Sequence, residues 1–448
     1  MVQCKKKEAI PDMEATAIKD RENISEAALR ILQQNTREGE SGRYTIPTDK
    51  LYPFQWNWDS CLAALGLADI DEARAWEEIR TLFAHQWKNG MVPHIVFHQD
   101  SDSYFPGPDI WGTAKMKTPT SGISQPPVAA TCVRMLYEKS ADQKQARTEI
   151  RALIPKIFAW HSWYLTARDP EKTGLAATFH PWETGRDNSA EWEEALFRVP
   201  TEGLEAYTRR DTDLVDAAQR PPQKEYDHYL ALVQLFREKK YNDKKLWKKT
   251  PFKIADIGIN AILLRANRDL LWLMQIVSAH DHEDTVKEWI ARQTDAFDKL
   301  WCAQRKFYCS YDLIAQKRIP MLSSGSFLPL FAHAVPQERL PELLEHLDKL
   351  GRKKGAFLVP SLAPGEAAFD RLRYWRGPVW AVVNFMIAKG LESYGDDQRA
   401  ARIAADTAKL IERNGFYEYF DPLDGTGLGG DAFTWTAAMW LHWARYYA

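Results

Sequence analysis

The chain has 448 residues, enough for two or three ordinary domains or one large barrel, and its 59 Lys and Arg against 61 Asp and Glu leave a formal charge of −2. Such a balance excludes an electrostatic nucleic-acid binder, which would carry a basic stripe. Aromatic residues make up 12%, with 18 Trp among them; flat rings with one polar N–H suit a surface that stacks on a sugar and also hydrogen-bonds it.

In chain order, the start MVQCKKKEAIPDMEA has a basic cluster but no apolar run behind it, so no secretory signal is read there. Residues 1–40 read as an extension with a first helix near 14–36. Helical periodicity then recurs near 59–67, 71–88, 126–139, 145–167, 189–197, 224–239, 252–278, 282–301, 336–350, 376–393, 397–413 and 432–447. Pro155 is expected to bend the 145–167 helix or mark its true start. Segment 252–278 is apolar on several faces, as a buried inner helix would be. About a dozen successive helices without βαβ alternation, and without a fixed repeat, point to an all-α toroid of paired helices. Residues 41–448 form one domain in this reading. Long loops over one face include insertions near 89–125 and 201–223, and such loops are usually functional.

No run of about 18 apolar residues exists, so no membrane span is expected. The cysteines Cys4, Cys61, Cys132, Cys302 and Cys309 are scattered and contain no CxxC pair, so no disulfide framework and no metal site is implied and a cytoplasmic setting is expected. No cofactor is implied, and a homo-oligomer is left open.

Four loop motifs carry the chemistry. In FQWNWDS (Phe54–Ser60), Asp59 or Ser60 either caps the next helix or, with Trp58 stacked on a sugar, Asp59 accepts hydrogen bonds from its hydroxyls. In HPWETGRDNS (His180–Ser189), Asn188 and Glu191 fit a capping box, yet Pro181, Trp182 and Gly185 impose an irregular approach that a plain cap does not need. RYWRGPVW (Arg373–Trp380) crowds Tyr374, Trp375 and Trp380 around a guanidinium, odd for a core, with Pro378 where the next helix should begin. In GFYEYFDPLDGTGLGG (Gly415–Gly430), Glu418 lies between two tyrosines; GTGLGG has the G-x-G-x-x-G spacing but no preceding βαβ unit, so a dinucleotide reading is poor.

FQWNWDS, HPWETGRDNS, RYWRGPVW and YEYFDP followed by FTWTAA, in this order over residues 40–448, resemble the successive signatures of glycoside hydrolase family 63, most of all its short members that act on glucosylglycerate and mannosylglycerate. The resemblance implies an (α/α)6 barrel and an inverting α-glycosidase with two carboxyls. Asp187 would be the general acid and Glu418 the general base. Trp56, Trp58, Asp59, Gln125, Trp182, Gly185, Trp375 and Trp380 would hold the glycosyl ring, and Tyr52, Tyr104, Arg220 and Tyr226, with Tyr374, the glycerate. Asp187 must stay protonated near neutral pH, so Arg186 beside it is expected to point away, towards the aglycone side or solvent. The substrate implied is 2-O-α-glucosyl- or 2-O-α-mannosyl-D-glycerate. A family-63-like α-glucosidase or α-mannosidase of neutral oligosaccharides is the alternative within the class. A non-catalytic sugar-binding barrel and a sugar epimerase are the alternatives outside it; the epimerase would need two histidines together in the pocket, and His94, His161, His180 and His333 are scattered.

Overall fold

The computed structural model describes residues 12–351 and 356–448, with side chains from residue 22 onward. The expected extension is thereby divided: residues 1–11, Cys4 included, lie outside the described residues, whereas Asp12–Gln34 is a helix of the barrel itself, packed on the last inner helix. Trp440 Nε1 on that inner helix donates to Ser25 Oγ at 3.0 Å.

Six helices close a ring by packing each on the next: Asn57–Leu67, Ala129–Lys139, Ile257–Val277, Leu328–Phe331, Ala381–Ser393 and Thr434–His442, the last returning to the first. Between them in sequence run Asp12–Gln34, Glu72–Ala84, Gln143–Ala167, Glu283–Ala296, Leu340–Leu350 and Asp397–Asn414, which form the outer layer. The alternation of inner and outer helices is an (α/α)6 barrel. Residue character sorts the two layers. Every residue of Asn57–Leu67 is buried, so that helix carries no polar stripe, whereas Asp397–Asn414 buries only one face, through residues such as Ile403, Thr407 and Leu410.

Helix boundaries depart from the sequence reading for local reasons. Pro155 lies inside Gln143–Ala167 and is not its start. The 252–278 segment becomes helical only at Ile257, where Asp256 caps it by accepting from the Ile259 N–H at 2.7 Å; Ile254–Ala255 before it is a strand paired with Tyr311–Asp312. Pro378 does not begin a helix, because Val379 exchanges backbone hydrogen bonds with Phe420 and the helix waits until Ala381. Residues 189–197 hold only short turns, Ala190–Trp192 and Glu193–Leu196. Among the described residues three helices escaped the periodicity, Asp243–Lys249 and the one-turn Pro108–Trp111 and inner Leu328–Phe331, the last two too short to show a period.

The inner ring is tight enough to exclude a methyl group. A Cβ on Gly66 would lie 2.5 Å from the Ala438 Cα of the neighbouring inner helix, which is backbone and has nowhere to go. Gly66→Ala is expected to destabilise the protein by about 1–3 kcal/mol, seen as a lower Tm in calorimetry with KM unchanged, since Gly66 lies at the far end of its helix from the pocket described next.

Candidate active site

One end of the ring opens into a pocket lined by residues at or just before the N-termini of inner helices and by the long loops. Trp56 occupies the cap position of Asn57–Leu67 without a side-chain cap bond, so the capping role considered for Asp59 or Ser60 is not taken up by either. Asp59 sits instead in the first helical turn and lines the pocket. Asn57 fastens this start by donating through Nδ2 to the Val92 and Pro93 carbonyls at 3.3 and 3.2 Å, and the Trp58 N–H donates to Gln125 Oε1 at 3.4 Å. Burial, with Glu418 and Asp187 nearby, raises the Asp59 pKa well above the usual carboxylate range.

The segment carrying Asp187 is bolted on every side. Pro181–Thr184 makes a 3-10 turn that ends on Gly185 at φ +69°, where a Cβ would meet Trp58 Cζ2 at 2.8 Å; only glycine satisfies both demands. The Asp187 carbonyl accepts from Trp192 Nε1 at 2.9 Å and from the Tyr229 hydroxyl at 3.2 Å. Asn188 does not form the capping box: its Oδ1 accepts from the Trp375 N–H at 3.0 Å and its carbonyl from Arg376 Nε at 3.1 Å, while Ser189 caps the next turn. Arg186 does point away from Asp187, but neither to the aglycone side nor to solvent. It is buried, with Nη1 2.7 Å from Glu191 and Nη2 2.5 Å from Asp256. A guanidinium with two carboxylates in the interior has no reason to turn into the pocket.

Glu418 is buried just before the strand Tyr419–Phe420, which pairs with Gly427–Leu428. The glycine-rich stretch is therefore the return strand and turn of a hairpin and not a phosphate loop. Glu418 Oε1 accepts from the Tyr52 hydroxyl at 3.1 Å and Oε2 from the Gly430 N–H at 3.2 Å, and Arg220 Nη1 lies 4.0 Å from Oε2. Tyr52 and Tyr374 hydroxyls are 3.2 Å apart, and Arg220 Nη1 donates to Tyr52 at 2.8 Å. Tyr374 adopts φ +37°, a costly conformation for an aromatic residue, held here in the pocket wall under the Arg220 guanidinium at 4.4 Å.

The two carboxyls differ in kind. Burial pushes the Asp187 pKa up to about 7, Arg220 opposes that rise and Glu418 adds to it. Burial also raises Glu418, but Arg220, the Gly430 N–H and the hydroxyls of Tyr52 and Tyr374 all hold its charged form. One group is thus poised to carry a proton near neutral pH while the other is surrounded by donors that favour its anion.

Of the residues singled out in the sequence, Tyr52, Trp56, Trp58, Asp59, Tyr104, Gln125, Trp182, Gly185, Asp187, Arg220, Tyr226, Tyr374 and Glu418 all border this pocket. Trp375 and Trp380 stand one layer behind it: their rings stack on each other at 3.7 Å, and Trp380 packs on Tyr374 and Tyr419. They back the ring of Tyr374. Asp211, Phe433 and Trp435 also border the pocket and were not singled out. Trp435 could have been found in FTWTAA, but nothing around Asp211 in RRDTD marks it. His94 borders the pocket, yet Trp182 packs against both it and His180, and both His180 ring nitrogens are bonded to backbone, so no histidine pair for an epimerase is formed.

A closed (α/α)6 ring with an aromatic pocket and two buried carboxyls facing it defines a glycoside hydrolase. The profile of the mannosylglycerate hydrolase MGH1-like glycoside hydrolase domain matches residues 52–436, and the chain belongs to that family. It is 47% identical over 420 residues to mannosylglycerate hydrolase MGH1 of Selaginella moellendorffii, covering 93% of this chain and 85% of that one. To glucosylglycerate hydrolase of Mycolicibacterium hassiacum it is 33% identical over 430 residues, covering 91% and 95%. The crystal structure of the family-63 mannosylglycerate hydrolase of Thermus thermophilus in complex with Tris and D-glycerate superposes with a TM-score of 0.89 at 46% identity, over 94% of this chain and 99% of that one. Neutral trehalase of Saccharomyces cerevisiae shares the fold alone, with a TM-score of 0.60 at 16% identity over 94% of this chain and 80% of that one.

The raised Asp187 pKa has a cost in stability. Its folded value near 7 exceeds the ordinary 3.8 of an aspartic acid, so ionisation opposes folding, and stability is lost as pH rises from about 4 to about 7. Asp187→Asn is therefore expected to melt at a higher temperature than the parent protein at pH 8, with the gap narrowing to little at pH 4, as measured by thermal unfolding across pH.

Proposed function

We propose that the chain is an inverting α-glycosidase that hydrolyses 2-O-α-D-mannosyl- or 2-O-α-D-glucosyl-D-glycerate to the hexose and D-glycerate. Asp187, protonated, donates to the glycosidic oxygen as the bond to the anomeric carbon breaks. Glu418, ionised, takes a proton from the water that attacks the opposite face, so an α-glycoside releases a β-hexose. Trp56, Trp58, Trp182, Gln125 and Asp59 surround the glycosyl ring. The observation that carries the aglycone assignment is Arg220, the cation among the described pocket-lining residues apart from a neutral His94, set beside the hydroxyls of Tyr52 and Tyr374. A guanidinium with phenol donors is the partner of a small carboxylate. Tyr104 and Tyr226 complete that end, with the Arg209 guanidinium over the Tyr226 ring at 4.2 Å. The relatives' named substrates agree with this reading. A reducing, cytoplasmic setting belongs to the same proposal, supported by four free, buried thiols, Cys61, Cys132, Cys302 and Cys309.

Proton NMR of fresh product, with the two sugar-glycerates in competition, is expected to show free glycerate and the β-anomer first. An α-anomer first would overturn inversion, and hexose released only from neutral α-oligosaccharides would favour the alternative substrate class. Asp187→Asn and Glu418→Gln are each expected to lower kcat by about 10²–10⁴-fold. Because the acid must be protonated, kcat/KM of the parent enzyme should fall as pH rises through about 7, where burial places Asp187. Arg220→Lys should raise KM for the sugar-glycerates by about tenfold or more, through loss of the forked donor.

A further inference from the structure

The loop that carries Arg220 reaches the base by two separate routes. In the first, Asp211 receives a fork from Arg209, with Nε on Oδ1 at 3.0 Å and Nη2 on Oδ2 at 2.8 Å, and its Oδ2 also accepts from Arg220 Nε at 3.1 Å. That bond sets the plane of the Arg220 guanidinium, whose Nη1 then faces Tyr52 and Glu418. In the second, Gln219 Oε1 accepts from the Gly429 N–H at 2.9 Å, and the Gln219 carbonyl accepts from the Tyr419 hydroxyl at 3.0 Å. Gly429 is held at φ +72°, and a Cβ there would lie 2.4 Å from Glu418 Oε2, so its backbone runs directly against the carboxylate. The next peptide N–H, that of Gly430, is the one that Glu418 Oε2 accepts. The glycine-rich stretch, which the reaction itself leaves without a role, thus cradles the base, and its far side is gripped by Gln219.

We propose that Gln219 and Asp211 are positioning residues for the base: Gln219 fixes the Gly429–Gly430 backbone that hydrogen-bonds Glu418, and Asp211 fixes the Arg220 guanidinium beside it, so that one loop both receives the anionic aglycone and aims the base. The inference rests on the reading of Glu418 as the base. It predicts that damage to the loop is felt in the chemical step even for a substrate that offers Arg220 nothing to bind.

The test uses an aryl α-glycoside with a neutral aglycone beside the sugar-glycerates. Gln219→Met keeps the side-chain length and removes the acceptor; it is expected to lower kcat by about tenfold on both substrate classes, since small misplacements of a reacting group are costly. KM for the aryl glycoside should stay within about twofold, and the acid limb of the kcat–pH profile should move up as the Gly430 N–H is lost to Glu418. Asp211→Asn should lower kcat on the aryl glycoside too, besides raising KM for the sugar-glycerates. Gln219→Ala repeats the first measurement if the Met variant folds poorly. An unchanged kcat on the aryl glycoside, or an effect confined to KM for the sugar-glycerates, overturns the proposal: the loop would then serve the aglycone alone. Glu418→Gln in parallel separates the two readings. Turnover that survives it overturns the assignment of the base itself, whereas turnover lost there but kept in Gln219→Met overturns only the clamp.

Discussion

Four carboxyl groups, Asp59, Asp187, Asp211 and Glu418, face one pocket in which, among the described residues, Arg220 supplies the single guanidinium. Burial alone would drive all of them towards the neutral acid. The guanidinium breaks that symmetry by where it lies: bonded to Asp211, close to Glu418, and opposing the rise at Asp187. Asp211 is held below the ordinary carboxylate range by Arg220 and Arg209 against the effect of its burial, while Asp59, without a cation of its own, is raised well above it. The four carboxyls thus differ in proton affinity because one charge is placed off-centre among several of the opposite sign.

That placement needs a rigid frame, and the inner ring supplies it. Residues that line the pocket sit at helix starts whose side chains are tied back to loops, as Asn57 is to Val92 and Pro93. The segment around Asp187 is held through its neighbours: Gly185 against Trp58, Arg186 by two buried carboxylates, Asn188 by Trp375 and Arg376. Asp187 itself is anchored through its backbone carbonyl, and its side chain borders the pocket. The indoles have two duties. Trp56, Trp58 and Trp182 face the pocket, whereas Trp375 and Trp380 stack behind Tyr374 and keep its strained backbone in place.

The amino-acid sequence by itself determined the all-α class, because apolar residues at helical spacing need no partner to be recognised, and the aromatic clusters beside Asp59, Asp187 and Glu418 were visible as residues out of place in a core. It did not determine which of those aromatics face the pocket: Trp375 and Trp380 look the same on paper as Trp56 and Trp58. The inner helix Leu328–Phe331 was invisible, since one turn has no period, and the destination of Arg186 depended on Asp256, distant in the chain and brought near only by the closed ring. Asp187 and Glu418 are 231 positions apart, so the proton affinities that distinguish them are properties of the assembled pocket. Residue identity says which groups can ionise, and only the tertiary structure, through burial and the donors that face each carboxyl, sets how readily each one does.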